Sequence, residues 1–329
     1  MKLASLKKGG RDGSLIVVSR DLRRAIDATD IAPTLQSALE RWEEAEPALA
    51  RLSAALDDGP LEGEFDLDVA ELASPLPRAY QFLDGSAYLA HVERVRRARG
   101  AEMPPSFLTD PLMYQAVSDG FLPPTGTILA ASEEYGIDFE AEVCVITDDV
   151  PMGVSAADAG EQVRLICLIN DVSLRNLIPA ELAKGFGFLQ SKPRSALSPV
   201  AVTADELGTA WRDCKVHRPL ITHYNGALFG EPECGVDMQF SFAELIAHAA
   251  RTRPLGAGTV IGSGTIANQD ESRGASCLAE RRMLEIIRDG KPSTPFMGFG
   301  DTVRIEMLDE QGASIFGAVE HIVARFDGS

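Results

Sequence analysis

Apolar and polar positions follow two periods along this chain, and the change from one to the other divides it into elements. Ser14 to Ser19 is a short β-branched run behind the turn signals Gly9-Gly10 and Asp12-Gly13, which predicts a strand. From Thr34 to Leu56 the apolar residues Leu35, Leu39, Trp42, Ala45, Leu49, Leu52 and Leu56 recur close to helical spacing, and Asp57-Asp58-Gly59-Pro60 ends the helix. Phe65 to Leu72 is a short alternating segment. Ser74-Pro75-Leu76-Pro77 reads as a junction, so residues 1–73 are expected to form a small N-terminal domain and residues 74–329 a larger one. In the larger part, Tyr88 to Arg99 and Phe242 to Ala250 predict helices. The apolar runs Val143–Ile146 and Val163–Ile169 predict buried strands. Further strands are predicted at Leu220–Ala227, Gly256–Ile266, Met283–Arg288 and Asp301–Met307, with a last alternating segment at Ser314–His321. Many short strands with few long helices predict a β-rich α+β fold.

The strand ending in Val143–Ile146 is entered through Asp138-Phe139-Glu140-Ala141-Glu142. Alternate side chains of a strand share a face, so Asp138, Glu140 and Glu142 point one way and Phe139, Ala141 and Val143 the other. Carboxylates gathered on a half-buried face repel one another unless a positive charge sits between them, and a hard divalent cation such as Mg²⁺ or Ca²⁺ supplies it. Taken alone, the same face also reads as simply solvated. Asp171 lies just past the apolar run Val163–Ile169, where a carboxylate can face a shared cleft. His91 falls in the first turns of the helix predicted from Tyr88, ahead of a basic run (Arg94, Arg96, Arg97, Arg99) that reads as a solvated face. The stretch Gly185 to Pro193 is glycine-rich with one lysine but lacks the phosphate-loop pattern, so no nucleotide site is expected.

Charge narrows the partners. The formal net charge of -18 argues against nucleic acid, which requires a basic patch. The five cysteines form no CxxC pair and no zinc spacing, and their odd, scattered placement suits a reducing cytoplasm. Leu15-Ile16-Val17-Val18 is too short for a signal peptide, and no run approaches a membrane span, so no membrane partner is expected.

Several motifs then fall in one order. They are Asp84 and His91 seven residues apart, Asp138-Phe139-Glu140-Ala141-Glu142, Asn170-Asp171-Val172-Ser173-Leu174-Arg175, Lys192 ahead of a Ser-Pro, and Gly262-Ser263-Gly264-Thr265-Ile266. Together they resemble the fumarylacetoacetate hydrolase family over most of residues 74–329, and the N-terminal unit suits its longer members. The resemblance implies a fumarylacetoacetase-like mixed β-sandwich roll with a small N-terminal α+β domain. It implies Asp84, Glu140, Glu142 and Asp171 as ligands of Mg²⁺ or Ca²⁺, with Mn²⁺ also suited to an all-oxygen site. His91 matches the catalytic histidine and Lys192 the active-site lysine, and Arg175, Tyr114 and Thr265 fall where substrate-contacting residues lie. Arg99 resembles a carboxylate-binding arginine, one residue short of the family spacing, and Glu280 is the nearest candidate for the partner of His91. The implied reaction is metal-dependent hydrolysis of a carbon–carbon bond in a small diketo acid by a homodimer, with fumarylacetoacetate of tyrosine breakdown as the first substrate. Acylpyruvate hydrolysis, isomerisation, decarboxylation and a catalytically silent metal-binding module stay open. Ser86 stands where the animal enzymes carry a substrate-binding tyrosine, and Leu177 to Lys192 lacks the expected glutamine and tyrosine, which leaves the acyl group undecided.

Overall fold

The computed structural model describes residues 1–98 and 104–328. Its centre is the strand Ala141–Thr147, every residue of which is buried. It pairs antiparallel with Val163–Asn170 on one side and with Val260–Gly262 on the other. Beyond Val260–Gly262 come Phe82–Gly85, held in parallel, and then Met113–Ala116. Beyond Val163–Asn170 the same sheet continues through Ala201–Val202 into Lys2–Leu6, Ser14–Val18 and Arg24–Asp27. Leu3 sits opposite Ala201 and Lys2 opposite Val202, so the first strand of the chain extends the sheet that carries the acidic motif.

This 11-stranded sheet is covered on both faces. Cys144 and Ile146 point toward Leu35, Leu39, Trp42, Leu49 and Leu56 of the N-terminal helices. Val143 and Val145 point the opposite way, into a core shared with Ile128, Ile305 and Val319 of a second sheet. That second sheet has 5 strands in the order Ala227–Gly230, Ile221–Tyr224, Thr302–Glu306, Val319–Arg325, Thr125–Ala130. Burial on both faces explains why Val143–Ile146 reads as an unbroken apolar run rather than an alternating one. The architecture is the β-rich α+β sandwich expected from the sequence. Among the described residues no helix is long and apolar enough to cross a membrane.

Several local expectations are corrected. The helical period from Thr34 to Leu56 is two helices, Leu35–Leu39 and Trp42–Asp58, the first capped by Thr34 in a reciprocal box with Ser37. Met283–Arg288, read as a strand, lies inside the helix Leu278–Asp289. Cys277 caps its first turn and Gly290, at φ 78°, closes the last with its N–H on the Ile286 carbonyl. The last strand is Val319–Arg325, later than the alternation from Ser314 implies. Of Phe65–Leu72 only Phe65–Asp66 is extended, and of Gly256–Ile266 only Val260–Gly262.

Ile146→Ala removes a fully buried side chain where the sheet meets the helices. It is expected to cost about 2–5 kcal/mol in chemical denaturation. Thr34→Ala, which removes only a helix cap, should cost about 1 kcal/mol in the same measurement.

Candidate active site

Three carboxylates meet at one end of the central strands. Asp84 is the penultimate residue of the strand Phe82–Gly85, Glu142 lies in Ala141–Thr147, and Asp171 follows Val163–Asn170 directly. Each offers an oxygen within 4.8 Å of the others, and all three residues are buried. The backbone is shaped around them. A Cβ on Gly262, which pairs with Asp84 across the parallel strands, would stand 2.2 Å from Asp84 Oδ1, so only glycine leaves room for that carboxylate. The Gly264 N–H donates to the same oxygen at 3.2 Å.

Glu140 occupies a different environment from Glu142, two residues on. Its Oε1 accepts from Lys192 Nζ at 2.6 Å and Ser173 Oγ at 2.5 Å and lies 3.3 Å from Arg175 Nη2, while its Oε2 accepts from Thr265. It is not among the three carboxylates that converge within 4.8 Å. Lys192 ties it to them, because the same Nζ donates to Asp171 Oδ2 at 2.5 Å. Asp171 also accepts from Tyr114 at 2.7 Å and Ser195 at 2.5 Å. By contrast, among the described residues neither carboxylate oxygen of Glu142 meets a donor.

The electrostatics follow from these partners. Burial favours the neutral form of Glu140, but Arg175 and Lys192 outweigh it and hold the carboxyl well below the usual range. Burial opposes the charge on Lys192 too, and the Asp171 and Glu140 carboxylates override it and raise the ammonium. Asp84 and Glu142 behave in the opposite way. Burial comes first, the neighbouring carboxylates add to it, and both are pushed well above the carboxylate range. These two acids ionise together only if further positive charge enters between them. The orphaned oxygens of Glu142 and the all-carboxylate donor set fit a hard divalent cation of the Mg²⁺, Ca²⁺ or Mn²⁺ kind.

Asp138 leaves the acidic group. Its two oxygens accept from the Leu278 and Ala279 N–H groups at 2.8 and 2.9 Å, at the positive end of the helix Leu278–Asp289, and Arg175 Nε donates to it at 2.8 Å. That helix also carries Glu280. His91 Nδ1 lies 3.4 Å from Glu280 Oε2, and Arg94 donates to the other oxygen, Oε1. His91 is the third residue of the helix Leu89–Ala98, which follows the strand Phe82–Gly85.

The structure therefore brings Asp84, Glu142 and Asp171 together, sets Lys192 and Glu140 beside them, and pairs His91 with Glu280. Tyr114, Arg175 and Thr265, expected as substrate contacts, each bond a carboxylate of the site. Phe188 meets the Tyr114 ring edge-on at 4.8 Å. Arg99 lies outside the described residues. Sequence reasoning missed Ser195 and gave Ser173 no role. It also read Arg94 as part of a solvated basic face, whereas Arg94 is buried. The available signal was its position three residues after His91, on the same side of a helix.

A family model described as fumarylacetoacetate (FAA) hydrolase C-terminal matches residues 81–324, and one described as fumarylacetoacetase N-terminal domain 2 matches residues 1–78. The chain belongs to the fumarylacetoacetate hydrolase family. Solved structures of similar fold include the fumarylacetoacetate hydrolase of psychrophilic Exiguobacterium antarcticum, 19% identical with TM-score 0.65 over 99% of this chain and 100% of that one. Maleylpyruvate hydrolase of Sphingobium sp. SYK-6, in complex with manganese(II) ion and pyruvate, is 17% identical with TM-score 0.65 over 99% of each chain. The 5-carboxymethyl-2-hydroxymuconate delta-isomerase of Mycobacterium smegmatis is 17% identical with TM-score 0.61 over the whole of both chains. No curated protein matches the chain. Fumarylacetoacetate hydrolase family folds thus carry both hydrolases and an isomerase among these neighbours.

Two predictions follow from the charges. Mn²⁺ added at a hundred times its Kd should stabilise the wild type by about 2.7 kcal/mol in thermal or chemical unfolding. Glu142→Gln, which removes one of the crowded charges, should be more stable than wild type without metal and lose that response. The second concerns Glu181, whose carboxylate accepts from Ser191 Oγ and from the N–H groups of Leu189, Gln190 and Ser191 just ahead of Lys192. The Ser191 hydroxyl and those N–H groups bring it down to about 2 from its ordinary 4.5. A depressed carboxyl stabilises the fold above its unfolded value and loses that contribution as pH falls through the folded one. Wild type should therefore exceed Glu181→Gln in stability at pH 6, and the two should converge between about pH 4 and pH 2 in urea titrations.

Proposed function

We propose that this chain hydrolyses a carbon–carbon bond in a β-diketo acid at a divalent-metal site held by Asp84, Glu142 and Asp171, with Glu140 beside them. Fumarylacetoacetate is the first substrate under this reading and acylpyruvates the next. The observation that carries it is the pair of Glu142 oxygens that meet no donor among the described residues, inside a buried acidic group, combined with an imidazole–carboxylate pair formed between His91 of the helix Leu89–Ala98 and Glu280 of the helix Leu278–Asp289.

A bond between two carbons breaks at neutral pH only if one carbonyl is attacked by water and the other carbon departs as a stabilised anion. A divalent cation held by Asp84, Glu142 and Asp171 would supply Lewis-acid polarisation at this site. His91, its Nδ1 turned to Glu280, has Nε2 free to take a proton from water. Glu280 accepts from the imidazole and stabilises the cation created by that transfer. The water oxygen bonds to one carbonyl carbon, the tetrahedral adduct collapses to a carboxylic acid, and the departing enolate takes a proton to become a ketone. Lys192, fixed between Glu140 and Asp171, holds a positive charge toward the developing oxyanion. Ser173, Thr265, Tyr114 and Ser195 hold the carboxylates in register, each by a hydroxyl.

The test is turnover with Mn²⁺ or Mg²⁺ and a panel containing fumarylacetoacetate and acylpyruvates. Loss of the diketo absorbance with release of two acids is the expected result. An isomerised or decarboxylated product, or no reaction with any member, overturns the reading. His91→Ala is expected to lose about 10²–10⁴-fold in kcat, the usual contribution of a positioned base. Near-full turnover would remove His91 from the mechanism.

A further inference from the structure

Glu280 is fully buried and touches two basic side chains. His91 approaches Oε2 through Nδ1 at 3.4 Å. Arg94, buried as well, donates Nη1 to Oε1 and Nη2 to the Asn268 carbonyl at 2.5 Å. Asn268 is itself fixed. Its side-chain amide donates to the Glu233 and Val236 carbonyls, and its oxygen accepts from the Glu233 N–H. Arg94 is thus bolted at one end to an anchored loop and presents the other to the carboxylate that faces His91.

A carboxylate out of water needs a compensating charge. A neutral imidazole provides none, and a base must be neutral before it acts. We propose that Arg94 is a positioning residue that keeps Glu280 an acceptor and thereby fixes the ring proton of neutral His91 on Nδ1, leaving the Nε2 lone pair free. This rests on the reading of His91 as the base. With Arg94 present, Glu280 is charge-balanced whether or not the imidazole carries a second proton. With the guanidinium removed, the buried Glu280 beside a neutral ring is more stable protonated. It then donates to Nδ1, and the ring proton moves to Nε2, where it blocks proton abstraction. Among the described residues, the Cys277 thiol also lies close to the pair; it receives the Glu280 N–H and is pushed well above its ordinary range by burial, so it contributes no charge.

The test compares wild type, Arg94→Met and Arg94→Lys, each loaded with diamagnetic Mg²⁺. The nitrogen-15 spectrum of the His91 ring, assigned by its loss in His91→Gln, reports which nitrogen carries the proton. The expected result is Nδ1–H in wild type and in Arg94→Lys, and Nε2–H in Arg94→Met. Turnover should follow: kcat falls on the order of 10²-fold in Arg94→Met, the scale of a lost general base, with KM unchanged because both Nη atoms of Arg94 are already given to Glu280 and the Asn268 carbonyl. Arg94→Lys should restore most of it. If Arg94→Met does not fold, Arg94→Gln keeps donors at the same place without the charge and is read in the same way. A wild-type proton already on Nε2, or Nδ1–H persisting without the positive charge, overturns the proposal whatever happens to turnover. A proton that moves while kcat holds leaves Arg94 in its role and instead removes His91 as the base, so the two failures are distinguishable.

Discussion

The constraint behind this structure is a shortage of positive charge in a dry place. Asp84, Asp138, Glu140, Glu142, Asp171 and Glu280 are all buried, and the cations in contact with them are Arg94, Arg175 and Lys192. Those cations are placed so that each serves two acceptors. Arg175 spans Asp138 and Glu140, Lys192 spans Glu140 and Asp171, and Arg94 spans Glu280 and a backbone carbonyl. The helix N-terminus at Leu278 takes up the rest of Asp138. Among the described residues, what is left uncompensated is Asp84 with Glu142. The imbalance is local, and it defines where a cation belongs more sharply than any count of acidic residues.

The fold serves that imbalance. A strand covered on both faces places Glu142 where water cannot relieve its charge, and the neighbouring strands bring Asp84 and Asp171 to it from far apart in the chain. Continuing the sheet into Lys2–Leu6 lets the N-terminal helices cover the face behind Cys144 and Ile146. The N-terminal segment contributes no carboxylate to the site, yet it supplies part of the apolar wall that keeps the site dry.

Much of this was legible in the sequence, and the misses share a cause. The strand, its two faces and the acids at its start follow from local periodicity, and the ordered motifs pointed to Asp84, Asp171, His91 and Lys192. Local pattern is blind to partners supplied from elsewhere. Asp138 and Glu142 share a predicted face, but Asp138 is claimed by N–H groups 140 positions away and Glu142 by nothing. Arg94 looked like one of a solvated row because its acceptors, Glu280 and Asn268, arrive from other elements. Met283–Arg288 looked like a strand because the caps of its helix, Cys277 and Gly290, lie outside that short window. In each case tertiary partners decided between readings that propensity left nearly level.

The contact between Gly262 and Asp84 limits how a site of this kind can change. Because the missing side chain is what admits the carboxylate, the strand floor and the first acid form a single unit of inheritance. A side chain at Gly262 would force the Asp84 carboxylate to move, so a designer wishing to widen or repurpose the cleft has to treat the two positions together. Diversity has more room at the rim, where Phe188 meets the site through the edge of the Tyr114 ring rather than through a carboxylate.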